Sequence, residues 1–333
     1  MKLTIIIVNY KTANLVLDCL KSLYQYDTHD FEIIVVDNFS LDFLEDKLNS
    51  LYPSVKFIQM GYNAGFARAN NVGIEIAEGN AVLLLNSDTI IRNNAVNFCF
   101  KDFMQSEYVA CGVQLLNEDE SPQISGNYVM KGGLNYLLPL PYMGSILKSI
   151  ADLMKLKKPS VSETKTVLEV DWINGAFLMV KKPAIEKAGM LDNDFFLYAE
   201  EAEWCSRLKK QGKLCLFGEY NVLHLQGESS KEAFNSAGKG YFNLFDRKGF
   251  QIMLSNFVRV RKEFGIGWFL IHLFFYLLTI PFFGVALIYN KLFRSSKKEY
   301  DFSQFLDFTK NVFNLLKFVW KIISNKPYFY KVL

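Results

Sequence analysis

Five short stretches put polar or ionisable side chains where an apolar run would hold them still. Asn86-Ser87-Asp88 follows the run AVLLL (81–85). A carboxylate at such a strand end can hold a hard cation, and the cation in turn neutralises a diphosphate. The same triplet also serves as an ordinary turn or cap. Asp37-Asn38 closes EIIVV (32–36). Its carboxylate can accept a hydrogen bond from the ring N–H of uracil or thymine, and turn chemistry explains it equally well. Residues 62–71, YNAGFARANN, open a helical pattern at Gly65. There a helix N-terminus could face phosphate or ribose, or simply join a loop to a helix. The stretch is not GxGxxG, so a nicotinamide fingerprint has no support. Glu200-Glu201-Ala202-Glu203 gathers three acids at a helix start. The helix dipole favours acids there, and one of them could be a general base toward a hydroxyl. His224, one of three histidines, ends another strand-like run and is either a metal ligand or a structural ring.

The elements that must position these groups read as an α/β sheet. Leu3–Val8, Glu32–Val36, Val55–Ile58 and Ala81–Leu85 are apolar runs, and helical patterns at Ala13–Tyr24, Leu41–Leu51 and Gly65–Ala77 separate them. Continuous apolar runs alternating with helices predict a mostly parallel sheet covered on both faces. Ligands bind such sheets beyond the carboxyl ends of the strands, where Asn9, Asp37 and the 86–88 triplet fall. Residues 117–165 break the rhythm with Gly132-Gly133, Pro139 and Pro141, and then Lys155, Lys157 and Lys158; they read as an insertion facing an acceptor or a membrane. Strand patterns resume at Val167–Asp171, Ala176–Val180 and Lys213–Phe217, with a helix at Glu200–Lys210 ending before Gly212.

From about Lys231 the chain turns helical and aromatic. Phe264–Asn290 carries no charge apart from the titratable His272, long enough to cross a bilayer but with Pro281 and Gly284 inside it. Arg259, Arg261 and Lys262 precede it, and Lys291, Arg294, Lys297 and Lys298 follow. Basic residues on both sides suit a broken, re-entrant or interfacial arrangement rather than a simple span. Phe305–Ile323 is a second aromatic helix, amphipathic in pattern. A helical core of a soluble lobe is the other reading.

Composition narrows the class. The 333 residues are half hydrophobic, and 37 basic against 34 acidic residues leave +3, no polyanion signal and no support for nucleic-acid binding. Five scattered cysteines without a CxxC pair suggest reduced thiols in a cytosolic setting. Met1-Lys2 leads directly into LTIIIVNY, a buried strand rather than a signal-peptide core, which points the same way.

IIIVNYKTANLVLDCLKSL, EIIVVDNFS, NAGFARANNVGI and LLLNSDT, in this order, resemble the family 2 inverting glycosyltransferases, particularly the branch with rhamnosyltransferases of cell-surface polysaccharide synthesis. DWINGAFLMVKK, FFLYAEEAEWCSRLKKQG and VLHLQGES are similar to that branch's acceptor-side, acidic and closing histidine motifs, so the resemblance covers about 1–230. It implies a GT-A fold, Rossmann-like with a mostly parallel central sheet. The catalytic domain would be 1–230: a nucleotide-sugar half at 1–115, the insertion at 117–165 and a catalytic half at 166–230. Residues 231–333 would be a helical, apolar, membrane-associating extension. A UDP- or dTDP-linked sugar would be the donor, with Asn9 and Asp37 at the base and Arg68, Asn70 and Asn86 at the nucleotide. Asp88 matches the second acid of the DxD motif and His224 would complete the shell of Mg2+ or Mn2+. Glu201 stands where the family has an aspartate base, one methylene longer, with Glu200 as the neighbouring candidate. Trp172, Gly175 and Trp204 fall on the acceptor side, and Asn174 offers no ring for stacking. No QxxRW is present, which implies one sugar per encounter. The expected acceptor is lipid-linked or a glycan, at the cytoplasmic face of the membrane.

Two other readings remain. A sugar-phosphate nucleotidyltransferase shares the broad fold, but its glycine-rich start is missing after the first strand, which continues VNYKTAN. A catalytically inactive nucleotide-sugar-binding subunit of a membrane assembly would fit Glu201 in the aspartate position, while Asp88, Glu201 and His224 together oppose it.

Overall fold

The structure, a computed structural model, describes residues 1–155, 160–161, 163–225, 243–293 and 300–332. Lys157 and Lys158, residues 226–229 of the histidine motif, the expected boundary at 230/231, and Arg294, Lys297 and Lys298 lie outside the described residues.

The first strand, β1 (Leu3–Asn9), is branched and apolar, which suits a strand buried on both faces. It pairs in parallel with β2 (Phe31–Asp37) on one side and β4 (Ala81–Asn86) on the other, in a register that sets Asn9 beside Asp37 and Val8 beside Asn86. Parallel neighbours require crossover connections, here including α1 (Ala13–Leu23) and α3 (Gly65–Glu75). Leu3, Ile5 and Ile7 share a core with Val16, Leu20 and Leu23 of α1. Ile6, pointing the other way, lies against α3 where Gly73 leaves room; a Cβ there would meet Ile6 at 2.8 Å. Between β2 and α3 run α2 (Leu44–Leu51) and the edge strand β3 (Lys56–Gln59).

After β4 come β5 (Thr89–Ile91), α4 (Ala95–Gln105), β6 (Ala110–Leu116), β7 (Gly126–Asn127), a 3-10 segment at Lys131–Leu137, α5 (Met143–Leu153), β8 (Ser160–Val161), β9 (Val167–Val170) and β10 (Trp172–Ile173). They are followed by β11 (Phe177–Lys181), α6 (Lys182–Ala188), α7 (Glu200–Leu208) and β12 (Leu214–His224). The main sheet is ordered β3-β2-β1-β4-β11-β6-β12-β5, with β9 also on β12, while β7, β8 and β10 form a small second sheet. The expected parallel sheet holds from β3 to β4. Beyond it β11 enters antiparallel to β4 and β6, so the sheet is mixed.

The chain divides into two compact units. The first holds Met1–Tyr128, Ser160–Phe196 and, among the described residues, 200–225. The second holds 129–155, Leu197–Ala199, and 243–332 apart from 294–299. The stretch expected as one insertion of the catalytic domain is therefore split, and 129–155 groups with the C-terminal helices. These are α8 (Arg247–Phe264), α9 (Ile266–Phe293) and α10 (Phe302–Ser324). Asp301 and Gln304 form a capping box that starts α10. Contrary to the expected interruption, α9 is continuous through Pro281. The missing N–H costs one helical bond, to Leu277. Two residues on, buried Phe283 is held among Tyr142, Tyr300, Phe305 and Phe308, which fixes the helix across that point.

Candidate active site

Short antiparallel pairing of β5 with β12 brings together residues 135 positions apart. It sets Thr89 opposite His224, and the Leu225 amide donates to the Asp88 carbonyl at 2.9 Å. Asp88 and His224 are both buried, with Asp88 Oδ1 3.4 Å from His224 Nε2. Asn86 Nδ2 donates toward the same Nε2 at 3.3 Å.

The histidine is held from behind by Gln123, a residue with no distinguishing feature in the sequence. The Gln123 amide N–H groups donate to the His224 carbonyl at 2.6 Å and to Asn117 Oδ1 at 2.8 Å. That orientation turns its Oε1 to His224 Nδ1 at 2.9 Å, so Nδ1 carries the proton and donates. Nε2 is then left with its lone pair aimed at Asn86 and Asp88.

Asp88 Oδ1 is buried without a hydrogen-bond partner among the described residues. Two electron-rich atoms facing each other at this spacing suit a shared cation, since adjacent ligands about 2.1 Å from one ion lie about 3 Å apart. The residues therefore fit a divalent metal. Among the described residues no group of three His, Cys, Asp or Glu side chains has metal-binding spacing, so the protein contributes a sparse set of donors. Nearby Cys19 is buried, and burial pushes its thiol up to about 12, against the opposing Thr89 hydrogen bond and with the Asp88 charge adding to the shift.

At the next strand ends most of the hydrogen-bonding capacity is taken up within the protein. Asp37 accepts from Asn9 Nδ2 at 2.7 Å, the Ser40 amide at 2.9 Å and Gln59 Nε2 at 2.8 Å. Asn9 has no exposed surface; its Oδ1 takes the Thr12 amide and hydroxyl, and its Nδ2 also serves Ser40 and Asp42. Asn9 thereby brackets Asp37 and the start of α1.

Asn38, beside it, organises the entrance to α3. Its Oδ1 accepts from the Ala64 amide at 2.7 Å and its Nδ2 donates to Asn63 Oδ1 at 3.0 Å and the Gly65 carbonyl at 3.3 Å. Gly65 has φ +76°, and a Cβ there would fall 2.1 Å from the Phe196 carbonyl oxygen, so only glycine fits. The Phe66 amide donates to that same carbonyl at 2.8 Å. Arg68 Nε donates to the Asn193 carbonyl at 2.9 Å, and buried Asn70 donates to the Phe66 carbonyl one turn back. Both thus contribute to the α3 surroundings.

The acidic motif separates into parts. Glu203 is bound by Arg207 through two guanidinium nitrogens at 2.8 Å, and Arg207 also reaches the Ala188 and Met190 carbonyls. Glu203 therefore ties α7 to the loop before it. Glu200 and Glu201 are buried at the helix start, directly after Tyr198 (φ +72°) and Ala199 (φ +67°). Two successive left-handed residues without glycine are costly and mark a backbone bent for a purpose. Gly175 lies against Glu201, with its Cβ position 3.4 Å from Glu201 Cγ and 3.8 Å from the Phe66 ring. The neighbouring Ala176 carbonyl accepts from the Asn86 amide at 3.0 Å, so Gly175-Ala176, the α3 entrance, Glu201 and the end of β4 meet on one rim of the first unit. Trp172, on β10, is partly buried with its indole N–H unbonded among the described residues. Trp204, expected to face the acceptor, is fully buried and donates to the Gly189 carbonyl at 2.7 Å; it packs α7 and offers no surface.

A mixed α/β sheet with an Asp–Asn–His corner at its parallel strand ends defines the class: a GT-A fold. The model of Glycosyl transferase family 2 matches residues 4–155. Over 213 residues the chain is 27% identical to the low-salt glycan biosynthesis hexosyltransferase Agl10 of Haloferax volcanii, covering 63% of this chain and 62% of that protein's length. It is 25% identical over 241 residues to the rhamnosyltransferase WbbL of Escherichia coli (strain K12), covering 70% and 87%. The fold is shared with the mannosyltransferase PcManGT of Pyrobaculum calidifontis, solved with GDP-Man and Mn2+, at a TM-score of 0.53 and 14% identity over 97% of this chain and 83% of that one.

Proposed function

We propose that the chain is an inverting glycosyltransferase. It moves one sugar from a UDP- or dTDP-linked donor to a lipid-linked or polysaccharide acceptor of cell-surface glycan synthesis, at the cytosolic membrane face. The observation that carries this reading is the buried pair Asp88 Oδ1 and His224 Nε2, 3.4 Å apart with lone pairs toward each other. A divalent ion, Mg2+ or Mn2+, held by Asp88 and His224 beside Asn86 would supply positive charge against the departing nucleoside diphosphate. The Mn2+ in the PcManGT complex supports that chemistry, and the activities of Agl10 and WbbL support a hexosyl or deoxyhexosyl donor.

The chain's own groups do the rest. The ends of β1, β2 and β4 receive the nucleotide, with Asp37 at the base and Asn9 fixing it. The α3 entrance, with Arg68 and Asn70, borders the nucleotide. Glu201 takes the proton of the acceptor hydroxyl at a carboxylate oxygen while the hydroxyl oxygen attacks the anomeric carbon opposite the leaving diphosphate, which inverts configuration. Glu200 is the adjacent carboxylate, and Gly175 and Trp172 border the acceptor. Gln123 keeps the His224 lone pair directed inward.

Calorimetric titration of UDP-, dTDP- and GDP-sugars with Mn2+ tests this, comparing wild type with Asp88→Ala. Metal-dependent, base-selective binding that is lost in the variant is expected. A folded wild type that binds none of them, or an Asp88→Ala protein that binds as well, sinks the reading.

A further inference from the structure

The second unit carries an apolar surface larger than its own packing consumes. Helix α9 has no Asp, Glu, Lys or Arg from Ile266 to Asn290, yet only 22% of its most apolar window is buried. A core helix of a water-soluble lobe would be mostly covered. Its buried residues, Phe269, His272, Tyr276, Thr279 and Phe283, recur at spacings of three and four and form one stripe. On the opposite side Leu270, Phe274, Leu277, Leu278, Val285 and Ile288 are exposed. Exposed apolar area of this extent marks a contact surface.

What occupies the buried stripe decides how that surface is used. Partners run along almost the whole helix. Phe269 and Tyr276 meet Phe257 of α8; His272 Nε2 donates to the Gly132 carbonyl at 2.9 Å; Phe283 meets Tyr142 and Phe305; and Asn290 donates to the Tyr142 hydroxyl at 3.0 Å. Phe308 of α10 packs on both Tyr276 and Phe283, which are central in α9. Its near neighbours Asp307 and the exposed Lys310 therefore stand level with the middle of α9. If α9 crossed a bilayer, these charges would be carried to hydrocarbon depth, a costly place for them. If α9 lies flat, they stay outside.

Helix α10 supports the flat arrangement. Phe302, Leu306, Phe313, Leu316 and Trp320 form an exposed stripe at helical spacing, edged by exposed Lys310, Lys317 and Lys321. Aromatic and aliphatic residues bordered by lysines suit the boundary between acyl chains and anionic headgroups.

We infer that α9 lies in the plane of a single leaflet of an anionic lipid bilayer, with its exposed stripe in the acyl region, and does not span it. The occupant of the apolar face is the lipid surface, and α10 adds an electrostatic contact through its lysines. This deepens the membrane part of the proposed function. Vesicle binding reads the helices and donor titration reads the site, so either can fail alone.

The test uses the full chain and vesicles of phosphatidylethanolamine with phosphatidylglycerol. All five native cysteines are buried, so spin labels can be directed to single cysteines introduced at Leu270, Leu277 and Ile288, on the exposed side of α9. A flat helix gives three equal depths by power saturation. A spanning helix separates Leu270 from Ile288 by about 27 Å at 1.5 Å per residue, and that result overturns the inference. In flotation, wild type should rise with these vesicles, and the triple change of Lys310, Lys317 and Lys321 to Gln should weaken binding by about five-fold per lysine. A chain that stays with the soluble fraction, including one that hides the face in a homodimer, refutes it.

Discussion

Asp37 and Asp88 occupy equivalent places, each at or just beyond the carboxyl end of a buried strand beside β1, yet their surroundings are opposite. Three protein donors converge on Asp37, from Asn9, Ser40 and Gln59. Asp88 keeps Oδ1 buried and, among the described residues, unbonded, facing the lone pair of a histidine held in place by Gln123. One acid's hydrogen-bonding capacity is largely used within the protein, and the other's is held in reserve. A buried polar atom left unmade is destabilising, so its persistence needs a reason outside the apo fold. Within the acidic motif, Glu203 is bound by Arg207, and Glu201 lies against Gly175.

The sharpest way to break the comparison is to neutralise both acids. Asp88→Asn should abolish transfer by about a thousandfold or more, as loss of a group acting on transition-state charge does, with no loss of melting temperature. Asp37→Asn should instead unfold more readily by about 2–4 kcal/mol, since bound donors lose a charged acceptor, and donor affinity should fall less than in Asp88→Asn. Thermal melts alongside donor titration decide it; a destabilised Asp88→Asn would erase the distinction.

Glu201 and Glu203 make the second pair. Glu201→Gln should lower kcat by about 10²–10⁴ with donor affinity retained, the usual worth of a general base. Glu203→Gln should mainly lower the melting temperature through Arg207. If the kinetic loss appears in Glu200→Gln and not in Glu201→Gln, the base is the neighbouring residue.

Gln123 comes next. Replacing it with Leu frees the ring of His224 to turn and to change tautomer. Outer partners of metal ligands are worth about 10–100-fold in metal affinity, so Mn2+ titration followed by electron paramagnetic resonance should show a loss in that range, partly recovered in Gln123→Asn. Unchanged affinity would make Gln123 a packing residue only.

Much of this architecture is legible in the chain itself, and what is hidden has a common cause. The apolar runs of β1, β2 and β4 are local, and so is the grouping of acids at the start of α7. Saturation is not local. Asp37 is answered by residues 28 positions before it and 22 after it, and His224 by one 101 positions away. No spacing rule separates Asp37 from Asp88, or shows that Trp204 donates inward to Gly189 rather than facing an acceptor. Pro281 misleads for a related reason. Its local cost is real, but the packing of Phe283 outweighs it.

Glu32 supplies the smallest test, and it extends the comparison along β2 to the end opposite Asp37. This carboxylate is buried and receives the Thr4 hydroxyl at 2.5 Å, the Glu78 amide at 2.8 Å and Lys56 Nζ at 2.6 Å. Burial alone would raise its pKa, but these donors and the Lys56 charge outweigh it and hold the carboxyl below its ordinary 4.5. Lys56 also faces Glu78, which Lys2 balances from the other side. Because the folded pKa is depressed, the stabilisation is fully present above the ordinary value and disappears as the pH falls through the folded one. Glu32→Gln should therefore be less stable than wild type by about 1–3 kcal/mol at neutral pH, and the two denaturation curves should converge in acid. A difference that stays constant from neutral pH down through the acid range would mean that shape, not charge, is what Glu32 contributes.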